Sequence, residues 1–500
     1  MAVIWTKIFS RMENSIIHRW RRANRRDGCN PRSGCDNPKA VALGKIFPVA
    51  WPNLFSKNEI SFFRFNDGKS GIIITMERNA RRHPVSSVLS LTLHVAVVIL
   101  LFATAACCPG KRFMGDPESP YPPGTPAAMG EIVHLPTGMT VSPVQMTDVA
   151  GDARIVYFGE THDNPSSHRL ELRILSALAD LHPGRQALGM EMFSRSQQPV
   201  LDRWVAGKLD EKTFLRESRW YENWGMDYAY YRDLLNFARE RRLPVIALNA
   251  DRKQVKAVQN KPPDRLDAGE QEQLPTLDLA DPYERAMVSA FFREHTHGGN
   301  DLDAFIRVQA LWDETMARSV AGYLESESGR GMHLMVIAGG NHVSYGFGIP
   351  RRAFRRLPAS YILIGGKEIG IPPDMRDRLM NVSLPRFPMV PYDFLVYLGY
   401  EKLPEGVRLG VVTEPRRKGP GLVVAKVLPG SEAERSGLKE GDILLAFDGA
   451  PLTDGLDLMY AVQGKRPGDR ASLRVERQGL MLDVDILLRA AAKAGPPGNR

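Results

Sequence analysis

At 500 residues the chain exceeds what one core serves, and at roughly 150 residues per domain it is expected to hold two or three; 43% apolar and 25% charged residues are ordinary for globular domains. Its net charge of +9 belongs to the amino-terminal fifth, because residues 1–106 hold 16 of the 66 Lys+Arg and only 6 of the 57 Asp+Glu, which leaves 50 against 51 for everything after. A nucleic-acid-binding body carries its basic excess in the folded domain, so no nucleic-acid partner is expected. The four cysteines stand at 29, 35, 107 and 108, so nothing after Cys108 can make an internal disulfide or a thiolate metal site; Cys29 and Cys35 lack the second pair or nearby histidine that a metal clip needs.

In chain order, residues 1–75 show little pattern and read as an over-called start or a disposable extension. From 76 the chain looks like a secretory signal: Arg78, Arg81 and Arg82 precede an apolar stretch over 85–106, and small residues follow. Thr104-Ala105-Ala106-Cys107 resembles a bacterial lipobox, which makes Cys107 the lipidated first residue of the mature protein over a signal segment of 76–107. The alternative is a plain membrane helix, since the segment approaches the roughly 20 residues needed to span. Cys108 is not the aspartate associated with inner-membrane retention, so an envelope protein anchored by lipid in the outer membrane is favoured over the inner. Residues 108–130, rich in Pro and Gly, read as a tether.

Over 131–366, strand-like and helix-like stretches alternate, the pattern of an α/β fold with a mainly parallel sheet flanked by helices. Apolar runs at 154–158 and 333–338 read as buried strands, ending in Gly159-Glu160-Thr161-His162 and Gly339-Gly340-Asn341-His342. In each, glycine permits a sharp turn and a histidine three residues on projects over the sheet edge. A third run, 186–190, delivers Glu191; a fourth, 243–248, ends at Asn249 and leads to Arg252. Residues 170–181, 228–241 and 302–324 read as helices, and 361–364 as a late strand. Ligands bind at the carboxyl ends of strands in such sheets, which makes Glu160, His162, Glu191 and His342 one candidate site.

The ordered motifs Gly-Glu-Thr-His-Asp, Gly-Met-Glu-Met-Phe, Trp224-Gly, Tyr231-Arg232, Ala247-Leu248-Asn249-Ala250, Gln309-Ala-Leu-Trp312-Asp-Glu-Thr-Met-Ala317 and Gly-Gly-Asn-His resemble the ChaN family of haem-binding lipoproteins, grouped with Tiki proteases, TraB proteins and erythromycin esterases. The resemblance implies haem as cofactor in iron uptake, a tyrosine as the type of iron ligand, and a haem sandwiched between two subunits of a homodimer. Tyr228, Tyr230 and Tyr231 are the candidates here, and tyrosinate is a sound ligand for ferric haem, although such aromatics also serve as helix-face core. Asn249, Arg252, Gln309 and Asp313 are candidate cofactor-binding residues, the last two one helical turn apart; Arg252 and Arg307 suit propionates. Trp312 and Met316 read as core, and His295-Thr-His297 as an exposed loop or a lid.

A different chemistry fits the same residues. His162, His342, Glu160 and Glu191 are the set for a divalent Mn, Co or Zn with a position open to water, one glutamate ligating and the other serving as general base. The Tiki relatives imply a metal-dependent hydrolase or peptidase of this kind, with these four as catalytic residues. A third reading is a scaffold in which the motifs are relics.

After an extended, Pro-punctuated connection over 367–404, residues 405–490 resemble a bacterial PDZ domain, small and mostly β, through Gly430-Ser-Glu-Ala-Glu-Arg-Ser-Gly-Leu-Lys-Glu-Gly-Asp442 and Asp448-Gly449. PDZ domains add a peptide strand to a sheet edge and receive its terminal carboxylate on loop amides. The resemblance makes Leu409, Gly410 and Val411 that loop and has Leu456 and Tyr460 line the groove from the helix. The competing expectation is a module docked on its own middle domain.

Overall fold

The computed structural model describes residues 127–295, 301–378 and 382–490. The leader with Cys107, and His297, lie outside them. Among the described residues no helix is long and apolar enough to cross a membrane.

Eight strands form the large sheet: β1 (Ile132–His134), β2 (Met139–Val141), β3 (Ile155–Glu160), β4 (Gln186–Ser194), β5 (Val245–Asn249), β6 (His333–Gly339), β7 (Tyr361–Ile369) and β8 (Phe394–Gly399), ordered β2-β1-β8-β7-β3-β6-β4-β5. From β8 to β5 every neighbouring pair is parallel, and the β1–β2 hairpin closes the β8 edge antiparallel. Both faces of the parallel part are covered, which is why its strands read as continuous apolar runs. On one face Val156, Phe158, Met335 and Ile337 pack with Leu170, Ile174, Leu175 and Leu178. On the other Ile155, Tyr157, Leu334 and Val336 pack with Met316, Val320 and Leu324.

The helices that matter below are α1 (Pro143–Gly151), α2 (Pro165–Leu181), α3 (Glu211–Glu217), α4 (Trp220–Asn223), α5 (Arg252–Asn260), α6 (Pro282–His295), α7 (Leu302–Glu325) and α8 (Gly455–Gln463). Asn164 starts α2: its side-chain oxygen accepts from the Ser166 amide at 3.1 Å, with Pro165 in the first turn, satisfying a donor the helix leaves orphaned. The same side chain donates to the Gly399 carbonyl at 3.0 Å and so ties the end of β3 to β8.

Three expectations are adjusted. The helix expected over 228–241 is split into a 3-10 turn (Tyr228–Tyr230) and a helix (Arg232–Glu240). Strand β4 continues past Met190 to Ser194, because its pairing with β6 stops at Met190 while β5 picks it up again at Ser194 across a register break. The stretch expected as linker over 367–404 contains β8, whose Phe394, Leu395, Val396 and Leu398 are buried in the sheet.

The carboxyl-terminal module is antiparallel: β9 (Val411–Pro415), β10 (Leu422–Val427), β11 (Ile443–Phe447), β12 (Ala450–Pro451), β13 (Arg470–Arg477) and β14 (Leu480–Leu487), with β9 at the sheet's edge. Leu422, Val424, Leu444, Phe447, Leu458, Leu473 and Ile486 form its core. Gly410 enters β9 with φ +81, and a Cβ there would lie 2.2 Å from that of Ser431, so only glycine fits.

Candidate functional site

The carboxyl edge of the parallel strands opens into a cavity of about 850 Å³, and His162, Glu191, Asn249, Arg252, Gln309, Asp313 and His342 all line it. They arrive from the ends of β3, β5 and β6, from within β4 and from α5 and α7, at the carboxyl edge where open parallel sheets bind ligands. Trp224, Trp312, Met192, Met287, Phe291 and Phe305 supply the apolar walls.

Each histidine is held from behind. The Nδ1 of His162 lies 2.5 Å from Glu160 Oε1, and the Nδ1 of His342 lies 2.6 Å from Asp313 Oδ1. A carboxylate on Nδ1 fixes the ring and leaves Nε2 for a partner in front. His342 Nε2 points to Glu191 Oε1 at 3.5 Å, while Glu191 Oε2 accepts the Gly339 amide at 2.7 Å. Gly339 is where the two sides meet: a Cβ there would sit 2.9 Å from His162 Nε2. His162 also meets Trp224 edge-on at 4.9 Å between ring centroids. Asn249 donates to the Glu191 carbonyl at 3.1 Å, bracing β4 where its register breaks.

The electrostatics differ between the two rings. Burial pushes His342 down, but the Asp313 and Glu191 carboxylates outweigh it and lift the ring to about 9. Burial likewise opposes charge on His162, and Glu160 raises it above the ordinary value. The Glu160 carboxyl is pushed up by burial, yet His168, His162 and the Tyr231 hydroxyl hold it below the usual range. The imidazole of His162 is 37% exposed and that of His342 8%, so His162 is the ring an incoming ligand meets.

Several expected residues stand elsewhere. Glu160 is buried behind His162 and does not line the cavity, so it orients rather than ligates in front. None of Tyr228, Tyr230 and Tyr231 lines the cavity. Tyr228 and Tyr231 are wholly buried, the latter donating from its hydroxyl to Glu160 Oε1 at 2.8 Å, and Tyr230 packs against the same core. Burial raises the hydroxyl of Tyr228 above its ordinary value, and that of Tyr231 well above it, which works against a tyrosinate. Arg307 donates to the carbonyls of Val258 (2.9 Å) and Gln259 (3.3 Å) and so caps α5 instead of facing the cavity. Trp312, expected as core, forms part of the wall. Sequence reasoning missed His168 and Glu171 behind Glu160, and Arg352, which is buried with Glu284 and Glu314; only the charge of these residues within apolar runs could have flagged them.

In the terminal module Leu409 is buried and Gly410 takes its left-handed turn. Leu456 and Tyr460 pack against the core of the middle domain. The reason is the helical spacing of α8, which gives Leu458 and Val462 to its own core and leaves the 456/460/463 side to α3 and α4. Lys212 reaches Asp457 at 2.6 Å, Arg216 bonds Asp457 at 2.7 Å and Asp454 at 3.1 Å, and Tyr221 donates to Gln463 Oε1 at 3.0 Å.

Comparison with known proteins falls on the same two regions. The family model described as haem-binding uptake, Tiki superfamily, ChaN matches residues 146–353, and a PDZ model matches 407–488. Among solved structures, one titled as cofacial heme binding to ChaN of Campylobacter jejuni is 15% identical, covering 53% of this chain and 95% of that one with a TM-score of 0.41. Among curated proteins, a putative zinc metalloprotease of Ralstonia nicotianae is 36% identical over 78 residues (16% of this chain, 17% of that one), and a probable DegP-like periplasmic serine endoprotease of Ectopseudomonas mendocina 39% over 75 (15% and 16%). The chain thus spans about a sixth of the length of these curated relatives.

Proposed function

We propose, from the premise that the chain carries a haem-binding-uptake domain of the ChaN family over 146–353 and a PDZ domain over 407–488, that it is a haem carrier of the bacterial envelope. In this reading it is anchored through lipid at Cys107, serves iron uptake, and takes a protein partner through its terminal module. The observation that carries the reading is the cavity at the sheet edge. Its volume lies in the range of cofactor sites; Trp224, Trp312, Phe291 and Phe305 on its walls suit a flat apolar group; and Arg252 and Lys256 suit carboxylates. Haem, when bound, would supply a ferric centre open to a donor side chain. Of the two imidazoles His162, the more exposed, would hold it, with Glu160 fixing the ring, and Gln309 and Asn249 would line the bound group.

A haemin titration of the full chain in detergent tests this. A saturable Soret band is expected, weakened roughly tenfold or more by His162→Ala and unaffected by Tyr228→Phe. Loss in Tyr230→Phe alone would return the iron to a tyrosine. A sedimentation run with and without haemin reads whether two subunits share the cofactor.

One observation favours a second reading. Both rings have Nδ1 tied to a carboxylate with Glu191 between them, the support that metal-ligating histidines usually have. His162, His342 and Glu191 would then hold Mn, Co or Zn, and the metal would acidify a bound water for hydrolysis. Stoichiometric metal without a Soret band on haemin addition is the outcome that favours it.

A further inference from the structure

Behind the cavity, under the end of β3, lies a cluster of which both readings use only Glu160, as the support of His162. Glu160 ends β3, and His168 and Glu171 stand in the first turns of α2; all three are buried. Glu160 Oε1 is fully engaged, accepting the Tyr231 hydroxyl at 2.8 Å and facing His162 Nδ1. Glu160 Oε2 is buried and receives no hydrogen bond.

His168 sets the electronics. Its Nε2 lies 3.0 Å from the His162 carbonyl oxygen, which can only accept, so Nε2 carries a hydrogen. Its Nδ1 then turns toward Glu171 Oε2 at 3.1 Å and Glu160 Oε2 at 3.4 Å. Ligand atoms of these three residues all lie within 4.8 Å of one another. In a tetrahedral centre with bonds of about 2.0–2.2 Å, ligand atoms stand about 3.3–3.6 Å apart, and both separations from Nδ1 lie close to that. A proton on Nδ1 serves Glu171 first, and the Glu171 and Glu160 side chains also meet each other; two carboxylates brought together in a buried place are costly unless a cation or a shared proton lies between them. A doubly charged cation meets all three donors and balances both carboxylates.

We propose that Glu160, His168 and Glu171 form an internal site for one divalent cation of the zinc class, separate from the cavity. Glu160 bridges the two, with Oε2 on the cation and Oε1 on His162 Nδ1, so the ion stiffens the support of the exposed histidine. The site stands whether the cavity takes haem, a metal or neither.

The test uses the full chain, stripped with a chelator and dialysed against Zn2+ or Co2+ alone, with bound metal counted by atomic emission. His168→Gln and Glu171→Gln are each expected to remove one ion per chain, or to weaken its retention at least tenfold. His342→Gln removes any ion that the cavity itself holds, so in that background one ion is expected to remain, and adding His168→Gln is expected to remove it. The wild-type Co2+ form is expected to show the visible absorption of a low-symmetry, nitrogen-and-oxygen-ligated centre, a readout that needs no variant to fold. A wild-type chain that retains no ion, or a count unchanged by His168→Gln and Glu171→Gln in folded protein, overturns the proposal.

Discussion

His162 and His342 share one design and differ in depth, and the difference governs how each answers pH. His342 is buried between Asp313 and Glu191 and raised to about 9, against about 6.5 in an unfolded chain. A raised value means the charged ring adds stability that is fully present below about 6.5 and lost as pH climbs through 9. The melting temperature of the ligand-free chain is therefore expected to fall between pH 7 and 10, and His342→Asn to flatten that slope; calorimetry across the range checks it. At Gly339 the added Cβ of Gly339→Ala would displace His162. The fold is expected to survive while ligand affinity in the cavity drops by about tenfold or more, read by the haemin or metal titration. At this scale the sequence was informative where a motif coincides with a strand end: His162, His342, Glu191, Asn249, Arg252, Gln309 and Asp313 all line the cavity. It left Tyr228 and Tyr231 open between iron ligand and core, because nothing local distinguishes an aromatic facing a ligand from one packed against Trp220 at about 5.4 Å.

At the scale of elements, boundaries blurred where pairing outlasts composition. β4 runs beyond its apolar stretch because β5 continues to pair with it, and β8 sits inside a Pro-rich segment whose strand character rests on its neighbours β7 and β1. Sequence read alone cannot see a partner more than 250 residues away. The consequence is testable. A fragment ending at 366 lacks β8 and uncovers both β7 and the β1 hairpin, so it is expected to aggregate or show no cooperative melt, whereas one ending at 404 melts cooperatively. Within the intact chain, Phe394→Ala removes a wholly buried ring and is expected to cost about 3–5 kcal/mol, measured by denaturant unfolding.

For the molecule as a whole, the terminal module sits on α3 and α4 through the side of α8 that carries Leu456, Tyr460 and Gln463, ringed by ion pairs from Asp454 and Asp457. Asp457 is the pivot: burial pushes its carboxyl up, but Lys212, Thr453 and the Thr453 amide hold it far below the usual range. A depressed carboxyl contributes stability above its unfolded value near 3.9 and loses it as pH falls through the folded one. Docking is therefore expected to persist through neutral pH and loosen only in strong acid. Arg216→Ala with Lys212→Ala is expected to loosen it at pH 7, seen as a larger radius of gyration by X-ray scattering and faster proteolysis near 400–407, with the melting of the large sheet unchanged. The split into an α/β body and a PDZ module was legible from motifs, and docking on the middle domain was one of two expectations for that module; the residues that make the contact were not legible, because Lys212, Arg216 and Tyr221 lie on helices that read as ordinary solvated surface.

That contact reaches the ring above His162. Tyr221 bonds Gln463 of the module, and one turn on, in the same short segment, Trp224 meets His162 edge-on. Only Glu222 and Asn223 thus lie between the module's foothold and the mouth of the cavity. Equilibrium binding energies between two such places are reciprocal: by whatever factor a strand captured on β9 alters retention of the cavity's cargo, the cargo alters capture of the strand by the same factor.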